Sequence, residues 1–317
     1  MDKPELTVLM PVYNEARYLK ASIQSILDQT IKDFEFLILN DDSSDNSEEI
    51  IQSFKDNRIK YVKTPRMKLS ALLNYGVNIS EGSIIARMDS DDIAVNDRLE
   101  KQMNFIRNKD KNFISSAWFA TFKGEKLFNI VRHPVNDEEI KKALNTSNPI
   151  CHPLAIFHKE FFKQLNGYDE DLECLEDHNL WLHARNKAEF GNIPEVLLLK
   201  REKSNSLGAI EKALPRSTIF NMLYTSFDDS YYSDYKSSKK DKIELEYLYG
   251  DQFNLRRRLK TYRFFSLRHL YLYLLTYLPE KFFIKKGDAW IKWKLNRFAS
   301  LFSTQKRSLK AYLKKFA

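Results

Sequence analysis

The chain has 317 residues, 43% of them hydrophobic, which predicts a globular protein with one large core, or a domain of about 200 to 250 residues plus an appendage. Two cysteines, Cys151 and Cys174, exclude a disulfide framework and a CxxC metal pair, and point to a reducing compartment. The net charge of +8 averages two unlike parts: residues 253–317 carry 17 Lys and Arg against Glu280 and Asp288, so what precedes them is net acidic. That division predicts a catalytic or binding body followed by a basic segment with a different partner.

Residues 6–12, LTVLMPV, form a near-continuous apolar run, as expected of a strand buried on both faces of a parallel sheet. Tyr13, Asn14 and Glu15 follow at its end. A helix is predicted over 16–28, with Leu19, Ile23, Ile26 and Leu27 at helical spacing. A second buried strand, 34–39, runs into NDDSSDNS, where Asp45 and Glu48 predict a capping box for a helix through Ile50, Ile51 and Phe54. A third strand spans 58–64 and a helix 69–77, and SIIARMD, 83–89, closes the regular series. Beyond a helix over 97–107 the pattern loosens, and the sheet is expected to become mixed. A strand is read at 112–122, a short helix at 137–144 and a strand at 148–157. A helix at 159–165 is stopped by Asn166 and Gly167. Glu176 and Asp177 then open a helix bearing Leu180, Trp181 and Ala184. Acids in a first turn also serve simply as dipole complements.

Alternating strands and helices imply right-handed crossovers, and in such sheets ligands bind beyond the carboxyl ends of the strands. Both Asp41-Asp42 and the group Asp89, Asp91 and Asp92 fall at such ends. Three crowded carboxylates need a cation or a set of donors, and a divalent metal is the simplest neutraliser. A solvated acidic turn is the alternative. Neither GxGxxG nor GxxxxGK[ST] occurs, so the usual backbone cradles for phosphate are absent and a metal becomes the expected phosphate binder.

The segments MPVYNE, LNDDSSDNS, ARMDSDD and LEDHNLWL, in this order and spacing, resemble glycosyltransferase family 2, of the bacterial cell-surface polysaccharide type, over about residues 5–202. The resemblance implies a GT-A α/β fold, a mixed, mainly parallel sheet flanked by helices. It also implies a nucleotide-diphosphate sugar donor, a divalent metal (Mn2+ or Mg2+) and single displacement with inversion. Pro11, Tyr13 and Glu15 match the family's nucleotide-binding loop; Asp41 and Asp42 match its paired acids, one of which accepts the base's ring N–H. Asp89 and Asp91 match its DxD element, with Asp91 the better metal ligand. Asp177 matches its catalytic base, and Trp181 an aromatic beside the acceptor pocket. Ser43 stands where the family often has Gly, and PRMKLS, 65–70, where it has a Gly-containing loop.

Each residue also has a direct chemical reading. Tyr13 offers a flat face for a pyrimidine, and Asp41 an acceptor for an imide N–H that favours uracil. Lys68 or Arg66 could meet the diphosphate, the alternative for each being a surface cation. A carboxylate within reach of the acceptor hydroxyl takes its proton as it attacks: Asp177 first, Glu176 next, His152 or His178 after them. His152 beside the acceptor has a plain alternative as a structural hydrogen-bonder.

Three regions are expected: a transferase domain at 1–225, a Ser/Asp/Lys-rich linker or exposed loop at 226–252 and a basic aromatic helical region at 253–317. The longest uncharged apolar run of the last, residues 270–278, is about half the roughly 20 residues a spanning helix needs. Interleaved cations and aromatics suit the surface of an anionic membrane, which would fit a lipid-linked or surface glycan acceptor. Packing on the core is the other reading, and no nucleic-acid partner is expected. The N-terminus MDKPELTVLM shows no export signal, so a cytoplasmic protein at the inner face of the cytoplasmic membrane is expected. The alternative function is a non-catalytic nucleotide-sugar-binding protein of the same fold that anchors partners through its basic tail.

Overall fold

The computed structural model describes residues 3–144 and 147–203; the linker expected at 226–252 and the basic region at 253–317, with its membrane contact, lie outside them. In chain order the strands are β1 (Leu6–Val12), β2 (Glu35–Asp41), β3 (Ile59–Thr64), β4 (Ile84–Arg87), β5 (Ile93–Ala94), β6 (Phe113–Lys123), β7 (Lys126–Val131), β8 (Ile156–His158) and β9 (Glu189–Arg201). The helices are α1 (Ala16–Leu27), α2 (Ser47–Ser53), α3 (Leu69–Ile79), α4 (Arg98–Ile106), α5 (Asp137–Ala143), α6 (Lys159–Gln164) and α7 (Glu176–Ala184). A 3-10 turn covers His152–Leu154.

The strands make one sheet in the order β3-β2-β1-β4-β8-β6-β9-β5, with β7 paired to β6 off that path. From β3 to β4 all pairs are parallel; β8 then runs antiparallel to both β4 and β6, while β6 and β9 are parallel. This is the mixed α/β architecture expected from the sequence. β1 and β2 are buried along their whole length, as continuous apolar runs require when helices cover both faces. The apolar stripe of α1, Leu19, Ile23 and Ile26, joins Met10, Ile38 and Ile51 in one core.

Two local features set the strand ends. Met88 N donates to Leu9 O, so Leu9, and Pro11 two residues on, direct their backbone groups toward β4. The β1–β4 register ends at Leu9 and Arg87; the amide that Pro11 lacks is not needed there. At Gly82 a Cβ would sit 2.6 Å from the Thr7 amide nitrogen, so only glycine lets the turn into β4 lie this close to β1. α6 ends as expected, with Asn166 and Gly167 both at positive φ and Gly167 N donating to Phe162 O.

Two expectations are corrected. Asp45 and Glu48 do not form the expected capping box: Asn46 directly precedes α2, and its own side chain makes no cap. Instead Asp45 Oδ2 accepts from Ala16 N at 2.9 Å, at the start of α1, and Oδ1 from Ser47 N at 3.0 Å. Residues 148–157 are not a strand; Pro149 and Pro153 interrupt the backbone, leaving the 3-10 turn and only the first two residues of β8, Ile156 and Phe157. Among the described residues no helix is long and apolar enough to cross a membrane.

Candidate active site

The register pairs Val12 with Asn40 and Asn40 with Lys63, so the segments after β1, β2 and β3 emerge along one rim. Asn14, at φ 52°, turns the chain there: its Oδ1 accepts from Ser44 N at 2.8 Å and its amide donates to Ser43 Oγ at 3.0 Å. Ser43 thus replaces a permissive glycine with a hydroxyl that ties the first two loops together. Tyr13 is 44% exposed beside them. Asp41 is buried, its Oδ1 accepting from Met67 N at 2.7 Å, while Oδ2 is ion-paired with Arg66. Asp42, at positive φ, is exposed, and so is Lys68 at the start of α3. Pro11 is buried inside β1, so it shapes the strand end and offers no open surface to a nucleotide.

The loop after β4 carries Asp89, Asp91 and Asp92, which bring carboxylate oxygens within 4.8 Å of one another. Cations of the chain surround them. Arg87 pairs with Asp89; Lys203 pairs with Glu15 and lies 2.7 Å from Asp91 Oδ2. Burial acts to raise the Asp89 carboxyl, yet Arg87, Lys200 and His152 together hold it below the ordinary range. Asp92 has less compensation. Burial, then Asp91 and Asp89, push its carboxyl well up; Oδ1 accepts from Arg201 N at 2.8 Å, whereas Oδ2 is buried with no hydrogen-bond partner among the described residues. Burial also raises Glu15, with Lys203 opposing. Three hard oxygen donors and an unsatisfied buried carboxylate oxygen fit a hard divalent cation.

Across Arg87 lies a second group. Leu175, at φ 64°, is a non-glycine residue in the left-handed region, a conformation costing on the order of 1 kcal/mol, and it aims the first turn of α7. Glu176 Oε1 is 3.4 Å and Asp177 Oδ2 3.9 Å from His152 Nδ1, and His152 Nε2 is 2.8 Å from the Tyr168 hydroxyl. Burial holds that hydroxyl protonated far above neutral pH. The Glu176 carboxylate, which only accepts, faces Nδ1 and so accepts its N–H, leaving Nε2 of the neutral ring to accept from the Tyr168 hydroxyl. Burial acts to raise Glu176, but the His152 hydrogen bond keeps it below its ordinary value. Asp177 accepts from Asn148 Nδ2 at 2.7 Å and from the His178 amide at 2.7 Å. His178 Nε2 is spent on Leu144 O at 2.7 Å, and burial lowers the imidazole's proton affinity.

Trp181 corrects an expectation. It is fully buried, with its ring edge-on to His152 at 6.5 Å, so it backs that imidazole and offers no open platform for a sugar. α7 packs its apolar residues inward, and position 181 faces the core. Sequence reasoning missed Arg87, Asn148, Tyr168, Lys200, Arg201 and Lys203. For the β9 cations a signal existed: VLLLKREK is an apolar strand run ending in positive charge, the counterpart of the strands that end in acids.

A sheet whose parallel strands end in carboxylates on a shared rim defines a GT-A-type transferase fold. The family model described as glycosyl transferase family 2 matches residues 7–165. The chain is 37% identical over 222 residues to an uncharacterized glycosyltransferase of Methanocaldococcus jannaschii, covering 67% of this chain and 76% of that one. It is 32% identical over 209 residues to the O-antigen biosynthesis glycosyltransferase WbnJ of Escherichia coli, covering 63% and 81%. In fold it is similar to S. aureus TarS 1-349 in complex with UDP-GlcNAc, with a TM-score of 0.59 at 15% identity over 86% of this chain and 79% of that one. The chain belongs to glycosyl transferase family 2 and is a glycosyltransferase.

Proposed function

We propose that the chain moves a sugar from a uridine-diphosphate donor to a hydroxyl of a surface-glycan precursor, with inversion at the anomeric carbon. The observation that carries this reading is the arrangement of the acids: cations flank Asp41, Asp89 and Asp91 at the strand ends, while Asp177, beyond Arg87, is held by uncharged donors. Support for the donor class comes from TarS, solved with UDP-GlcNAc and with UDP, and for the acceptor class from WbnJ, named for O-antigen biosynthesis.

In this reading Tyr13 stacks on the base, Asp41 accepts its imide N–H, and Asp42 and Lys68 border the entrance. Asp91 and Asp89 hold the metal, with Asp92 and Glu15 beside them. A divalent cation bound there supplies charge neutralisation for the departing diphosphate. Asp177 takes the proton of the acceptor hydroxyl as the new C–O bond forms and the bond to the phosphate oxygen breaks on the opposite face of the sugar, which produces inversion. Glu176 and His152 keep the base region oriented. Nothing needs to protonate the nucleotide.

The test is turnover of a panel of nucleotide sugars with Mn2+, with the anomeric configuration of the product determined by NMR. Transfer from a UDP-sugar with inversion is expected; transfer only from other nucleotides, or with retention, overturns the reading. We extend the proposal to residues 253–317, whose cations and aromatics suit an anionic inner leaflet carrying a lipid-linked acceptor. Full-length protein should then sediment with anionic vesicles and lose that binding in high salt. A chain ending at Asp251 that sediments as well refutes this part.

A further inference from the structure

We infer that Arg66 occupies the base seat as a surrogate nucleobase, and that the nucleotide binds by displacing it. This rests on the assignment of Tyr13 and Asp41 to the base. The Arg66 guanidinium carbon lies 3.6 Å from the centroid of the Tyr13 ring, and its Nη1 is ion-paired with Asp41 Oδ2 and donates to Met67 O at 2.8 Å. A flat, delocalised group stacked on an aromatic face while donating N–H to a buried carboxylate is the description of a uracil ring in the same place. Arg66 is itself half exposed, whereas Asp41 is 2% exposed with its other oxygen taken by the Met67 amide. The carboxylate is the fixed partner and the arginine the movable one.

Displacement has a chemical requirement. A buried carboxylate stripped of its cation needs a replacement donor, or the vacancy costs more than the stacking returns. A base with an imide N–H supplies one. Cytosine, whose ring nitrogen at that position is an acceptor, leaves Asp41 facing a lone pair. Base selection therefore rests with Asp41, which meets an N–H in uracil and a lone pair in cytosine, while Arg66 keeps the unliganded seat satisfied and sets the same entry cost for any base. The occupant also lowers apparent affinity, by the fraction of time the seat is free.

The experiment measures uridine and cytidine binding to full-length protein by calorimetry, without metal, for wild type, Arg66→Ala and Arg66→Gln. Nucleosides are used because they carry no phosphate for a displaced cation to meet. An occupancy of about nine-tenths corresponds to about a tenfold gain in uridine affinity when the guanidinium is removed. Arg66→Ala is expected to show that gain for uridine and cytidine alike, leaving the preference between them unchanged, with Arg66→Gln between it and wild type; melting curves report whether each variant is folded. Uridine affinity that is unchanged or lower in both folded variants, while UDP still binds wild type, overturns the inference and leaves the donor assignment standing. Failure of wild type and both variants to bind either uridine or UDP overturns both.

Discussion

The halves of the site proposed for the donor and for the catalytic base balance their acids by different means. Asp41, Asp89 and Asp91 each face a long cationic side chain, Arg66, Arg87 and Lys203. Two of these, Arg66 and Lys203, come from segments remote from the strand end they neutralise. Asp177 faces the Asn148 amide and the His178 backbone N–H, and Glu176 faces an imidazole locked by Tyr168. Arg87 is buried and stays, whereas Arg66 and Lys203, both partly exposed, can swing away when a ligand brings its own charge or donor. An amide fixed in a helix turn cannot. The donor half is built to exchange partners, and the base half is built to hold still, which is where fixed dipoles aid a proton transfer most.

The largest effect is expected where the fixed half does its chemistry. Asp177→Asn keeps the side chain's size but removes the proposed proton acceptor, and general-base assistance is worth about 10^2- to 10^4-fold. We predict a loss of about 10^3-fold in kcat, with UDP affinity within about twofold of wild type, read by single-turnover transfer and calorimetry. A kcat that survives would move the base role to Glu176. Asn148→Ala removes the donor that orients Asp177, together with the acceptor of the Ile150 amide. Here kcat should fall about tenfold with KM for the donor sugar unchanged, as expected when only transition-state positioning is lost. A rise in KM alone would instead make Asn148 a part of the donor seat and break the division between the halves.

The sequence made some of this legible and hid the rest for physical reasons. β1 and β2 are readable because strands covered on both faces must be apolar throughout, and the acids at their ends stand out against that background. β9 is not readable in the same way: Pro194 and Glu195 bulge out where the register jumps from Ile193–Ala117 to Val196–Trp118, which breaks the run in two. Residues 148–157 mislead in the opposite direction, since Ile150 and Leu154 are apolar for the core while the prolines forbid a continuous strand. Asp45 has the right spacing for a capping box with Glu48, yet its carboxylate bridges Ser47 N at the start of α2 and Ala16 N at the start of α1, a partner on another element. Arg66 reads from sequence as a diphosphate contact or a surface cation and Lys203 is not singled out, since only the tertiary fold brings them to Asp41 and Asp91. The carboxylates are local signals, and their counter-ions are not.

Lys203 offers the smallest effect and the sharpest test of the donor half. Its ammonium lies between Glu15 and Asp91, beside the oxygens assigned to a cation, and both carboxylates would otherwise repel. If that contact is exchangeable, a metal must displace the ammonium, and removing it should ease entry. Lys203→Met keeps the length of the stem and deletes the charge. The expected outcome is about fivefold tighter Mn2+ binding without nucleotide, the equivalent of about 1 kcal/mol for a partly exposed ion pair. Free Mn2+ measured by electron paramagnetic resonance reports it without any turnover. Lys203→Arg should stay near wild type, since it retains the competing charge. Weaker Mn2+ binding in Lys203→Met would mean that the ammonium organises the carboxylates for the metal, and then the donor half, like the base half, is preorganised by its own side chains.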